Sequence, residues 1–182
     1  MKEQYENRRV RMTKQLMKDA LLELLKQQNL VNISVTAICE TADVHRSTFY
    51  KYYNTPADLL REIEQDYLDR IPVPTQAGQL NQKALLEANM AFFDYVKENG
   101  RSFRILFSRS GDDGFASRIV EFICSENMPV GAQPDELSAR FVRLYIANGT
   151  VGMLREWINT DFPVSSQKIA EMMYFLSRKV IS

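Results

Sequence analysis

The residues best suited to chemistry fill eight consecutive positions, Arg46-Ser47-Thr48-Phe49-Tyr50-Lys51-Tyr52-Tyr53. Read as a helix, this run puts Phe49 and Tyr53 four apart on one face. The other face carries Arg46, Ser47, Thr48, Tyr50, Lys51 and Tyr52, nearly all hydrogen-bond donors. Such a face suits the acceptors of DNA: guanine O6 and N7 take the fork of an arginine, and phosphate oxygens take hydroxyls and ammonium groups. Arg46 is the candidate base reader. Ser47 and Thr48 are short donors for a base edge or a phosphate, and Lys51 suits either. Catalytic chemistry finds little to work with. His45 is the only histidine, so no Ser/His/Asp set assembles away from it, and no glycine-rich phosphate loop is present. Cys39 and Cys124 lie at no ligand spacing, so neither a metal nor a resident cofactor is expected. Asp112 and Asp113, between Gly111 and Gly114, read as a solvated turn.

Elements that position the donor face are legible on both sides of it. Upstream, Val35, Ile38, Cys39 and Ala42 recur at helical spacing behind Ser34, a capping residue. Asp43-Val44-His45 breaks that helix from the next. Two short helices with a tight break read as a helix-turn-helix, with the second helix entering the major groove. Before it, Leu16, Ala20, Leu24 and Met17, Leu21, Leu25 give an amphipathic stripe. Residues 1–7 are polar and expected to be disordered. Arg8, Arg9, Arg11, Lys14 and Lys18 are read either as a solvated helix end or as phosphate contacts. The 182 residues sum to zero charge, but unevenly. Residues 1–53 hold nine Lys/Arg against six Asp/Glu, a net of +3, and the remainder carries −3. The basic end is the end with the motif.

The run Ala42 to Tyr53, with Asp58-Leu59-Leu60 after it, closely resembles the DNA-binding domain of the TetR family of bacterial transcription regulators. Thr13-Lys14 through Leu25 and Ile33-Ser34-Val35 fit that family's first helix and the start of its second. Tyr95-Val96-Lys97-Glu98-Asn99 and Gly152-Met153-Leu154-Arg155-Glu156-Trp157 resemble the C-terminal domain of a subgroup common in Gram-positive bacteria (Firmicutes). The resemblance implies that Tyr50 and Tyr52 touch the DNA backbone and that Thr36 is a further contact. The chain departs from the family pattern twice. Asp43 stands where Gly is usual, and Asp tolerates a left-handed backbone better than most residues. Pro56 stands where Lys is frequent. Thr55-Pro56 makes a good helix start, but that lysine's phosphate contact is missing, and backbone N–H groups there are its expected substitute.

The rest reads as all-α. Residues 56–70 form a fourth helix with Leu59, Leu60, Ile63 and Tyr67 inward, and Ile71 to Gln79 is the expected domain boundary. Residues 1–54 are thus expected to form the DNA-binding domain, 55–79 a linking helix and linker, and 80–182 a helical regulatory and dimerisation domain. Helices are expected over 80–99, where Gly100 stops the helix, then 101–108, 115–126, 135–159 and 169–181. Gly149 and Gly152, inside a helix, cost stability unless something packs closely on them. Ile169, Met172, Met173, Leu176 and Val180 make one apolar face, and Tyr174 and Phe175 add apolar surface on another. A helix apolar over more than one side needs more than one neighbour. A second copy supplies it as a four-helix interface through Gly149, Gly152, Met172, Met173, Leu176 and Val180; ordinary intrachain core is the competing reading. A two-fold dimer would read a palindromic operator with half-sites ~34 Å apart. The family resemblance also implies a small-molecule effector, with Met90, Phe93, Phe103, Phe107, Phe122, Tyr145 and Trp157 as candidate lining; aromatic and Met stripes are more often plain core. No apolar run approaches the ~18 residues of a membrane span, and Met1 to Met12 lack a signal peptide's apolar core, so a cytoplasmic protein is expected. These readings converge on a dimeric DNA-binding regulator, a repressor by expectation. The competing reading is a coactivator or protein-interaction module on the same scaffold, with a protein partner and weak operator binding.

Overall fold

The computed structural model describes residues 2–72, 82–109, 114–125 and 135–181, and among them every regular element is a helix. The chain divides into two compact units, Met1–Asp69 with Ser108–Asp112, and Arg70–Phe107 with Asp113–Ser182.

In the first unit, α1 (Lys2–Leu25) is followed by a 3-10 turn (Leu30–Asn32), α2 (Val35–Ala42), α3 (Arg46–Tyr50) and α4 (Pro56–Leu68). Helix α1 starts at Lys2, not after the polar segment read as disordered; Lys, Glu, Gln and Arg lose little in a helix, so polarity alone does not end one. Its buried stripe is narrower than the apolar pattern. Met17, Ala20, Leu21 and Leu25 are buried against α2 and α4, whereas Leu16 is 48% exposed. Side chains from the other three helices complete the core: Ile38, Cys39 and Ala42, then Phe49, then Leu59, Leu60 and Ile63, with Tyr53 from the α3–α4 connection.

Local chemistry fixes the boundaries of these helices. Ser34 Oγ accepts from the Ala37 amide at 3.1 Å and caps α2. Asp43 ends α2 in the left-handed region, at φ 52° and ψ 50°, and the Val44 amide then donates to Cys39 O at 3.0 Å. Asp does here what Gly usually does. Thr55 opens α4 with a reciprocal box: its hydroxyl accepts from the Asp58 amide, and the Asp58 carboxylate accepts from the Thr55 amide.

The second unit holds α5 (Gln82–Glu98), α6 (Gly100–Arg109), α7 (Gly114–Ser125), α8 (Glu136–Asn159) and α9 (Ser166–Ile181). Helix α5 packs on α9, and α8 packs on both α7 and α9. Gly100 does not act as a left-handed stop. It begins α6, and it is glycine because a Cβ there would stand 2.6 Å from Cζ of Phe162. That ring is held in the α8–α9 loop, where Asp161 and Phe162 are both left-handed at φ 60° and 57°. Trp157 lies edge-to-face with it at 4.8 Å and donates Nε1–H to Val164 O at 3.0 Å. Arg104 closes the loop, donating to Ile158 O at 3.1 Å and to Asp161 Oδ1 at 2.7 Å. Of the expected boundary, residues 73–79 lie outside the described residues, as do Asp112 and Asp113.

Candidate nucleic-acid interface

Helix α3 is short, but hydrogen bonds from the Lys51, Tyr52 and Tyr53 amides back to Ser47 and Phe49 continue its winding. Phe49 is fully buried and Tyr53 nearly so, their ring centroids 5.6 Å apart. That anchor turns the donor residues outward. Arg46, Ser47, Tyr50 and Lys51 are exposed, and Thr48 and Tyr52 are half-buried at the rim. Thr36 lies in the first turn of α2 beside this face. Its hydroxyl accepts a hydrogen bond from Nη2 of Arg46. The two residues border a cleft of about 350 Å³ that His45, the residue capping α3, also lines. Tyr52 has Lys14 and Lys51 ammonium groups over its ring, each 5.6 Å from the centroid.

Two of the five candidate phosphate contacts on α1 point elsewhere. Lys18, only 10% exposed along its side chain, sets Nζ 2.6 Å from Asp66 Oδ2 and 2.8 Å from Glu62 Oε1. Lys14 reaches the other oxygen of Glu62 at 3.0 Å. Burial works to lower the Lys18 pKa, but the two carboxylates outweigh it and the net shift is upward. Burial likewise works to raise Glu62, and the two lysines overcome it to hold the carboxyl below its ordinary value. The Tyr53 hydroxyl is buried beside this cluster without a well-formed hydrogen bond; burial first, then the charge of Glu62, pushes its pKa up. These lysines tie α1 to α4. Sequence reading missed their partners, whose only local signal was a pair of acids four apart, 48 residues downstream. Arg8, Arg9 and Arg11 are exposed.

At the start of α4, Asp58 alters the expectation of a phosphate site. Its Oδ2 accepts from the amides of Asn54 at 3.1 Å and Thr55 at 3.0 Å. Pro56 has no N–H to offer. The Thr55 hydroxyl beside it, and those two amides, hold the Asp58 carboxyl below its ordinary pKa. The Asn54 and Thr55 amides, just before the helix, are thus engaged by an anion of the chain itself, and the Asp58 amide by the Thr55 hydroxyl.

In the second unit the candidate pocket residues separate into two places. Phe93 and Trp157 pack edge-to-face at 5.5 Å, and Phe103 and Phe107 each meet Phe115 at 5.6 Å. Phe93, Phe103 and Trp157 are buried; Met90, Phe107 and Phe122 are half-buried. Phe115, which no pattern had singled out for this role, joins the two phenylalanines. Tyr145 is not part of the array. It is 68% exposed on the outer side of α8, because that position falls one turn from Phe141 and one from Gly149.

Along that outer side Phe141, Tyr145, Gly149 and Gly152 follow one another, all exposed. A Cβ added at either glycine would meet nothing within 4 Å. Beside them runs a groove of about 1000 Å³ between α8 and α9, lined by Phe141, Tyr145, Gly149, Met153, Met173 and Leu176. Met172 and Leu176 are exposed, and Met173 is half-buried with its sulfur 3.5 Å from the Thr150 hydroxyl. The Val180 side chain lies outside the described residues. Both cysteines are free, Cys39 buried and Cys124 half-buried. Among the described residues no helix is long and apolar enough to cross a membrane.

Fold and site together define a helical regulator-type protein, with a helix-turn-helix reader in one unit and a larger helical unit after it. The TetR family model described as transcriptional regulator C-terminal region matches residues 84–179, more than half of the chain. The chain belongs to the TetR family of transcriptional regulators, proteins that act on DNA without being enzymes. Among solved structures, a TetR transcriptional regulator from Streptococcus agalactiae 2603V aligns with a TM-score of 0.73 at 18% identity, over 96% of this chain and 98% of its own. NalD, the secondary repressor of the MexAB-OprM multidrug efflux pump in Pseudomonas aeruginosa, aligns at 0.68 and 14% identity, over 94% and 97%. The dihydroxyacetone kinase operon activator DhaS aligns at 0.61 and 19%, over 93% and 96%. At such identities the likeness is one of fold. A search of curated proteins returned no significant sequence match.

Proposed function

We propose that this protein is a dimeric repressor that reads a palindromic operator with α3 of each protomer and is released by a small-molecule effector. The observation that carries the DNA reading is the outward donor face of α3, set over the buried pair Phe49 and Tyr53. Arg46 reads a base edge, and Ser47, Thr48, Tyr50, Lys51 and Tyr52 contact bases or backbone around it. Dimerisation has its own support: the exposed Phe141, Tyr145 and Phe175, and two helix glycines with nothing packed on them. A second copy lying on that face would bury aromatic surface at about 1.5–3 kcal/mol per side chain. Repression is the sign typical of the family to which the chain belongs. The effector acts in the second unit and shifts the equilibrium only by preferring one arrangement of the dimer.

The competing reading, a regulator that depends on a protein partner for operator affinity, has one specific observation in its favour. The carboxylate of Asp58 occupies the amides where a phosphate would approach, and Pro56 replaces a frequent lysine.

The test is a titration of the purified protein against duplex DNA from around its own gene, with scrambled duplex as control, at two salt concentrations. Tight binding to one palindromic segment by two protomers, abolished or weakened at least tenfold by Phe175→Glu with Tyr145→Glu, supports the dimeric reader. Equal, weak, salt-sensitive binding to both duplexes overturns it in favour of the partner-dependent reading.

A further inference from the structure

We propose that Thr36 is the positioning residue for Arg46, so that specificity at one base pair of each half-site belongs to the pair and not to the arginine alone. This rests on the DNA reading proposed above and goes beyond it, since Thr36 is otherwise simply one more contact to the DNA backbone.

The case begins with what an exposed arginine lacks. Arg46 stands at the first position of a five-residue helix, on the solvent side. Its long side chain has many rotamers, and ordering them on binding costs affinity. In the free protein one of its nitrogens is already engaged: Nη2 donates to Oγ1 of Thr36, ten residues earlier on a different helix. The bond spans the turn of the motif, and the turn is itself fixed, with Asp43 left-handed and the Val44 amide on Cys39 O. The charge of Arg46 is also felt at the Cys39 thiol, on α2, where it partly opposes the effect of burial. One nitrogen of the exposed guanidinium is thus engaged at the α2 side of the cleft.

The chemistry of the partner matters as much as its place. A guanidinium has five N–H donors, and one bond to a hydroxyl leaves four, enough for a two-pronged approach to guanine O6 and N7. Glu40 and Asp43 line the same cleft. A carboxylate gripping the guanidinium would be a stronger partner and would have to be given up before the base could be reached. Threonine is neutral, so it orients the fork without competing for its charge.

The experiment is a double-mutant cycle on DNA. The wild-type protein selects its preferred duplex from a random pool, and binding is then measured for that duplex and for versions with each base pair replaced. Thr36→Val keeps the shape of the residue and removes the hydroxyl; Thr36→Ser keeps the hydroxyl. The expected result is a loss of about fivefold for Thr36→Val on the selected duplex, the size of one hydrogen bond. Preference should flatten at the same base pair that Arg46→Ala flattens, and Thr36→Ser should bind as the wild type does. In the Arg46→Ala background, Thr36→Val should change binding less than twofold. Losses that multiply, or a Thr36→Val loss equal on every duplex, overturn the proposal and leave Thr36 as an independent phosphate contact. A folded wild-type protein that selects no sequence overturns the DNA reading itself, and the inference falls with it. Helical circular dichroism of each variant separates a lost fold from a lost contact.

Discussion

Replacing Lys18 with methionine is predicted to destabilise the first unit by about 1–3 kcal/mol. Methionine keeps most of the apolar stem, so the change isolates the ammonium group. Exposed ion pairs are worth about 0.2–1 kcal/mol, and truncating one partner of a fully buried pair costs about 3–5. The Lys18 cluster falls between those limits. The Lys18 side chain is 10% exposed, while those of Glu62 and Asp66 are 31% and 36% exposed, so water screens the carboxylates left behind. Lys14 also remains on Glu62. Adding Asp66→Asn should recover part of the loss, because Asp66 is the carboxylate left without its lysine and its repulsion with Glu62 disappears with it. The dependence on pH has a definite sign. Glu62 is held below its ordinary pKa, so its contribution is present at neutral pH and lost as pH falls through the lowered value. Lys18 is raised, so its contribution is present below its ordinary value and lost only as pH climbs through the raised one. The acid limb of the wild-type stability curve should therefore flatten in the methionine variant. Urea titration followed by circular dichroism gives the global number. Hydrogen exchange at α1 and α4 assigns it to the right unit, since the only tryptophan, Trp157, reports on the other. A loss under 0.5 kcal/mol with an unchanged acid limb would refute the argument and show the cluster to be fully screened.

Two further substitutions test other steps. Gly100→Ala places a methyl group 2.6 Å from the Phe162 ring and should cost about 1–3 kcal/mol, as overpacking does; a thermal melt read by Trp157 fluorescence checks it, and an unshifted melt would mean that the α8–α9 loop yields freely. Pro56→Lys restores an ammonium at the start of α4 without touching the Thr55–Asp58 box. It should tighten operator binding and steepen the salt dependence by about one counterion, and an unchanged slope measured by fluorescence anisotropy would place no phosphate near that helix start.

The helical class and the motif were open to reading because their signals are local. Ser34, Thr55 and Asp135 each cap a helix through a side chain that accepts from the amide three residues on, and composition at those positions is enough to see it. Asp43 was legible for the same reason: few residues other than Gly, Asn and Asp accept φ near 52°. Gly100 shows where local reasoning fails. A glycine after a helix suggests a left-handed stop, whereas here the missing Cβ makes room for Phe162, a ring 62 positions later in the chain. Tyr145 stands apart from the other pocket candidates. Its phase on α8 puts it on the exposed face with Phe141, lining the α8–α9 groove, and phase could have been counted.

The lysines of α1 carry the larger lesson about the site. Helical spacing says that Lys14 and Lys18 leave the apolar stripe; it does not say what meets them there. Both were counted toward a basic, DNA-facing end, and both are engaged by carboxylates of α4. Asp58 repeats the pattern, an acid placed where a donor for phosphate had been expected. In the proposed reading, the basic side chains left for a duplex are the exposed Arg8, Arg9 and Arg11, with Arg46 and Lys51 in the motif, beside the hydroxyls of Ser47, Thr48, Tyr50 and Tyr52. A reader with fewer phosphate contacts depends more on its base contacts for affinity. That raises the value of holding Arg46 in place before the DNA arrives, and the hydroxyl of Thr36 is positioned to do so.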